Sequence, residues 1–256
     1  SLEDIDSVNF ALGVRDFDVA EHRPHPPGYP IYIALGKLGV GAAHLVSDAA
    51  APSTIEARVL SGLALAGALA AIVAMFAALR ALVHVEVRAL AATALTASCP
   101  LFWYLAVRPM SDVPGLAAAW AALACLGLAW HRQRPDDTGD RRLSPARMEA
   151  SGRMIVLGAL LSGIAIGFRS QNAMLTLPFL AGVWLDRLGR GAAGAVLGGV
   201  VAATVGALLW AVPLVMASGG LDAYLAALGS QAGEDFAGVD MLYLNPGNAR
   251  LAAFAL

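Results

Sequence analysis

Between Arg58 and Arg80 the chain carries no charged residue. A helix needs about 20 apolar residues to cross the roughly 30 Å hydrocarbon core of a bilayer. That core offers no water to backbone N–H and C=O groups, so a segment crossing it must satisfy them internally. Similar runs occupy Ala89–Val107, Pro114–Trp130 and Gly191–Ala217. Hydrophobic residues make up 58% of the chain and charged residues 14%, against about 45–50% and 25% in soluble domains. These figures exclude a soluble globule, a disordered chain and a nucleic-acid module. The fold class expected is all-α, a polytopic transmembrane helix bundle. Two shorter runs, Met154–Phe168 and Asn172–Leu185, read as two thin spans or one re-entrant hairpin. Either choice returns the chain to the same side.

The arginines sort the loops. Arg80 and Arg88 flank one, the segment 131–153 carries Arg132, Arg134, Arg141, Arg142, Arg147 and Arg153, and Arg187 and Arg190 lie in a third. An excess of Lys and Arg marks the cytoplasmic side, and 131–153 reads as a solvated linker there. The opposite side then holds 108–113, the turn at 169–171 and the tail 218–256. That tail is acidic through Asp222, Glu234, Asp235 and Asp240, against Arg250. Trp103, Tyr104, Trp130 and Trp184 sit at span ends and fit interfacial belts. Tyr29–Val46 decides where residues 1–28 lie. If it crosses, they are cytoplasmic; if it lies on the surface, they form an outer loop beside 108–113. Its glycines and Lys37 favour the interfacial helix. Ser1 in place of Met, and the apolar stretch Leu251–Leu256, suggest a fragment lacking a helix at each end. Cys99 and Cys125 lie within apolar runs, read as buried small side chains, and offer no disulfide or metal spacing.

The polar residues gather outside the spans. The first segment contains Glu3, Asp4, Asp6, Asp16 and Asp18, then His22-Arg23-Pro24-His25-Pro26-Pro27-Gly28-Tyr29-Pro30. Carboxylates at a membrane face can act as general bases or hold a divalent cation; the plainer reading is a solvated acidic loop. The prolines stiffen the approach to the next helix, and His25 there could meet an anionic head group or belong to a rigid linker. Arg108-Pro109-Met110-Ser111-Asp112-Val113-Pro114 makes a tight turn between two spans. Asp112 at a helix start is either a cap paired with Arg108 or a functional carboxylate. Arg169, between the two short runs, suits phosphate recognition or snorkels to the interface. Gln231–Phe236 reads as an exposed polar segment. No Gly-rich phosphate loop, Ser-His-Asp arrangement or internal repeat stands out.

In order, Asp6-Ser-Val-Asn-Phe-Ala, His25-Pro-Pro-Gly-Tyr-Pro-Ile-Tyr, Glu56-Ala-Arg58 and Arg108-Pro-Met-Ser-Asp112-Val-Pro resemble motifs of the C-type glycosyltransferases. The branch is that of the protein O-mannosyltransferases and aminoarabinose transferases. The resemblance implies an outer loop at 1–28, a juxtamembrane helix at 29–46, membrane helices over 58–217 and a second outer loop at 218–256. It implies inverting transfer of a sugar from a polyprenyl-phosphate donor to an extracytoplasmic acceptor (lipid, glycan or protein), with the polyprenyl tail between the helices. Asp6 and Asp112 become the catalytic carboxylates, which under this resemblance could share a divalent Mg or Mn ion. Asp4, His25, Tyr29, Arg108 and Arg169 become substrate-binding residues. Where relatives carry an acidic–lysine pair this chain has Pro24 and His25, and Asp4 competes with Asp6 for the catalytic position. The Ala/Arg-rich composition with Lys37 as the one lysine suits a bacterial inner-membrane protein. The competing reading is a transporter or flippase for a lipid or small anion, which would place its polar groups at mid-depth.

Overall fold

The computed structural model describes residues 2–46, 51–83, 85–131 and 145–236. These form ten helices: α1 (Ile5–Arg15), α2 (Pro30–Val46), α3 (Pro52–Val83), α4 (Glu86–Ala97), α5 (Pro100–Ala106), α6 (Asp112–His131), α7 (Pro145–Phe168), α8 (Asn172–Gly189), α9 (Ala193–Ala217) and α10 (Leu221–Phe236). No strand occurs among the described residues; an isolated bridge joins Asp18 to Arg23. Four helices, α3, α6, α7 and α9, are long and apolar enough to cross a membrane. The protein is an integral membrane helix bundle.

The expected single span Ala89–Val107 is broken. It divides into α4 and α5, bent by 66°. Pro100 lacks an N–H and pushes the residue before it out of the helical region, and Cys99 adopts φ −59°, ψ 129°. Cys99 is therefore exposed at the break and not buried as expected; Cys125 is partly buried. The run at Met154 also proves longer. Helix α7 starts at Pro145 and takes in the last part of the supposed linker, with a Glu149–Arg153 pair at 2.5 Å on its exposed face. Residues 132–144, with most of the expected arginine cluster, lie outside the described residues, as does the tail beyond 236.

The bundle packs α3 on α6, α6 on α7, and α7 on α9. Transmembrane helices approach closely where side chains are small. A Cβ on Gly163 of α7 would stand 2.5 Å from the Ala203 carbonyl oxygen of α9, so these two helices touch backbone to backbone. One end of the bundle is closed by Arg187. Expected in a solvated loop, it is 2% exposed and donates hydrogen bonds to the Ala129 carbonyl of α6 and Ser151 Oγ of α7, both at 2.9 Å. A cation there satisfies a carbonyl that the end of α6 leaves without a helical partner. Trp184, expected in an interfacial belt, packs inward against Gly199 at the same end.

The other end carries α1, α2 and α10. Tyr32 donates to the Leu60 carbonyl at 3.4 Å, Gly36 meets the Leu60 side chain and Gly39 meets Val59. Two turns of α2 thus stay at one level of α3, so α2 runs across that helix and not along it. Phe10, Val14, Tyr29, Tyr32, Ile33 and Leu60 form the core beneath.

Candidate functional site

Helix α1 begins after Asp4. Ser7 Oγ accepts the Asp4 N–H at 3.2 Å and donates to the Asp4 carbonyl at 2.7 Å, which fixes the first turn. The carboxylates at this end then go elsewhere. Arg108 pairs with Asp4, and with Glu3 at 3.1 Å, while its guanidinium lies 3.9 Å above the Tyr104 ring. The hydrogen bond to Asp4 holds the Arg108 guanidinium above its usual pKa, so the charge is fixed. One of the two sequence readings of Asp112 makes Arg108 its partner. Instead, the end of α5 turns Arg108 toward α1.

Asp112 takes Arg169, whose Nη1 lies 2.9 Å from Oδ2. Glycine makes this approach possible. A Cβ on Gly115, one turn into α6, would stand 2.8 Å from Asn172 Nδ2 and 3.2 Å from Phe168 Cβ. The first turn of α6 therefore abuts the α7–α8 turn. Asn172 is buried and donates to the Ala165 carbonyl at 2.9 Å, closing that turn. The ion pair is not aligned as a hydrogen bond: Asp112 Oδ2 is buried and accepts none from the described residues. Ser111 Oγ beside it is also buried without a partner among them. A serine before a helix normally caps the N–H two or three residues on, and Pro114 has no N–H to offer.

Asp6 faces this pair from α1, close enough for its charge to act on Asp112. His25 Nδ1 lies 3.9 Å from Asp6 Oδ1, and His25 Nε2 is 2.9 Å from the Tyr29 hydroxyl. Tyr29 is buried, at φ 46°. A tyrosine in the left-handed region costs about 1–3 kcal/mol and is held by its surroundings; here the Phe10 ring stands edge-on to it at 5.0 Å. Its hydroxyl thus points at His25. Asp16 and Asp18 pair with Arg23 at 2.9 and 3.5 Å, and Asp18 Oδ1 accepts the Ala20 and Glu21 N–H groups. They brace the loop.

Asp6, His25, Asp112 and Arg169 thus converge at one end of the bundle, with the Asp4–Arg108 pair beside them. A cleft of about 380 Å³ starts next to them. Tyr32, Leu63, Gly67, Pro114, Ala118 and Phe168 are among the residues lining it. Among the described residues no group of three or more His, Cys, Asp or Glu could hold a metal ion. With Asp112 committed to Arg169, the set fits a guanidinium–carboxylate site better than a cation cage. Sequence reasoning missed Glu3, Tyr32, Ser111 and Asn172. Glu3 and Ser111 adjoin the marked Asp4 and Asp112, and Asn172 lies three residues beyond Arg169, whereas Tyr32 gains its place from the packing.

No curated protein and no solved structure matches the chain. A family does match, over a stretch that takes in His25, Tyr29, Arg108, Asp112 and Arg169 and begins after Asp4 and Asp6. With residues 19–187 matched, the chain belongs to the family described as the protein O-mannosyl-transferase TMEM260 N-terminal domain.

Proposed function

We propose that the protein is a C-type membrane glycosyltransferase moving a sugar from a polyprenyl-phosphate donor to a hydroxyl acceptor on the extracytoplasmic side. The convergence of Asp6, His25, Asp112 and Arg169 at one bundle end carries the proposal, together with the family. In this reading α2 is a juxtamembrane helix, which its transverse path over α3 supports. Asp6 is preferred to Asp4 as the catalytic carboxylate, because Asp4 is tied to Arg108.

The acceptor oxygen attacks the anomeric carbon as the bond from that carbon to the phosphate oxygen breaks. Asp6 takes the acceptor proton. The departing polyprenyl phosphate keeps the bonding electrons, and its charge is met by Arg169 and by His25. Asp112 holds Arg169 in place. The apolar tail lies in the cleft between α3 and α6, whose lining residues Pro114 and Phe168 adjoin Asp112 and Arg169. A transporter would need its polar groups at mid-depth; here they stand at helix ends.

The test is sugar transfer by the purified enzyme containing this chain, with a panel of labelled polyprenyl-phosphate sugars. Wild type is expected to turn over one donor, while Asp6→Asn and Asp112→Asn fold and lose transfer. Movement of labelled lipid across vesicles without sugar transfer would replace this reading with the transporter.

A further inference from the structure

We infer that Glu56, on the spanning helix α3, is a positioning residue that sets where Asp6 stands. The inference rests on Asp6 being the site carboxylate. Glu56 is 2% exposed. Arg15, at the last turn of α1, grips both its oxygens: Nε bonds Oε1, and Nη2 lies 2.7 Å from Oε2. That bond holds the Arg15 guanidinium above its usual pKa. Glu56 precedes the uncharged run that follows Arg58, yet it is buried, and a buried carboxylate is costly unless it is paired. Replacing a buried ion pair with apolar residues is often neutral or stabilising. Stability alone therefore gives weak reason for a glutamate here.

The geometry supplies a better one. Asp6 and Arg15 lie on one helix, about 14 Å apart at 1.5 Å per residue. The opposite end of α1 is held through Asp4 by Arg108. Both ties run to elements that adjoin α6, the helix that carries Asp112. Arg108 stands in the turn that leads into α6. The helix bearing Glu56 meets the first turn of α6, where a Cβ on Gly67 would stand 2.7 Å from Pro114 Cα. Helix α1 is thus a short beam pinned at both ends to the frame around Asp112. Without Glu56 the Arg15 end loses its polar tie to α3 and is left to the apolar packing of Phe10 and Val14, so α1 can rock about Arg108. Asp6 then shifts against Asp112, Arg169 and His25.

Glu56→Gln keeps the side-chain volume and leaves Arg15, whose side chain is 45% exposed, to water. In the enzyme containing this chain, kcat is expected to fall by about 10- to 100-fold with the donor KM within about twofold, the scale that follows from misplacing a reacting group by an ångström. Arg15→Lys, which keeps the charge but not the two-point grip, should lose less of the rate than Glu56→Gln. Ser151→Ala weakens the far end of the bundle and should leave kcat unchanged. Spin labels at Leu12, near the Arg15 end of α1, and at Val107, 36% and 60% exposed, read the position of α1 without any assay of turnover. Their distance distribution should be narrow in wild type and broad in Glu56→Gln. If Asp6→Asn abolishes transfer while Glu56→Gln keeps both kcat and the narrow distribution, the inference is overturned. An equal kcat loss in Ser151→Ala also overturns it, as general destabilisation. If Asp6→Asn leaves transfer intact, the reading of the site fails, and the inference that depends on it falls too; the labels would then report only whether Glu56 anchors α1.

Discussion

Gly163→Ala and Gly182→Ala are the same chemical change in two helices, and the structure gives them opposite signs. A methyl on Gly163 would lie 2.5 Å from the Ala203 carbonyl oxygen and 2.9 Å from the Ala207 nitrogen, against an ordinary contact of 3.4–4 Å. Both neighbours are backbone atoms of α9 and cannot rotate away. The helices must separate by roughly 1 Å, in the range where overpacking costs about 1–3 kcal/mol. Helix propensity returns about 1 kcal/mol of that, leaving a net loss of up to about 2 kcal/mol. A methyl on Gly182 of α8 meets nothing within 4 Å, so only the propensity gain of up to about 1 kcal/mol remains. Equilibrium unfolding of both variants in mixed micelles decides the matter. Gly163→Ala should unfold at lower denaturant than wild type and Gly182→Ala at equal or higher. Equal shifts in one direction would refute the backbone contact between α7 and α9. Because α7 ends one residue before Arg169, Gly163→Ala should also raise the donor KM, which Gly182→Ala should not.

Gly115→Ala pushes the first turn of α6 off Asn172 and Phe168, and transfer by that variant should drop with little change in expression, as measured by turnover per folded molecule. In a double-mutant cycle, Asp112→Ala and Arg169→Ala together should destabilise less than the sum of the singles, by about 1 kcal/mol for a partly exposed pair; strict additivity would mean the 2.9 Å contact contributes nothing. Tyr32 is pushed above its usual pKa of about 10 first by burial and then by the charge of Asp112. Its stabilising contribution is therefore present below about pH 10 and lost as pH rises from there through the folded value. Unfolding followed from neutral to strongly alkaline pH should show a decline in wild type that Tyr32→Phe makes shallower. At neutral pH the variant should cost little, since the bond to Leu60 is long.

The spans were legible because hydropathy over 20 residues records the bilayer directly. The break at Pro100 was not, since apolar counts are blind to a missing N–H, although the proline itself was in plain sight. Asp6, His25, Asp112 and Arg169 stood out one at a time. Their pairing did not. Arg108 lies four residues before Asp112, a spacing that suggests a partner, and only the placement of α1 shows that Glu3 and Asp4 claim it. Glu56 stands in the sequence only as part of the Glu56-Ala-Arg58 motif, while its partner lies 41 residues away on another helix. Arg187 counted as loop charge because a cation near a run's end ordinarily marks the water boundary. Its burial follows from α8 continuing to Gly189 against the end of α6.

The bend between α4 and α5 bears on the surrounding lipid. At 1.5 Å per residue α4 rises about 18 Å, and α5, tilted by 66°, adds about 4 Å along that axis, for a total of about 22 Å. An average hydrocarbon layer is about 30 Å thick. Leu90, Leu95 and Leu101 are exposed along this edge, so acyl chains meet a wall shorter than themselves. Such hydrophobic mismatch is relieved by thinning the bilayer locally, at fractions of a kcal/mol per ångström. Crossing as a broken span, this pair is expected to thin the membrane on one flank and to favour thinner bilayers.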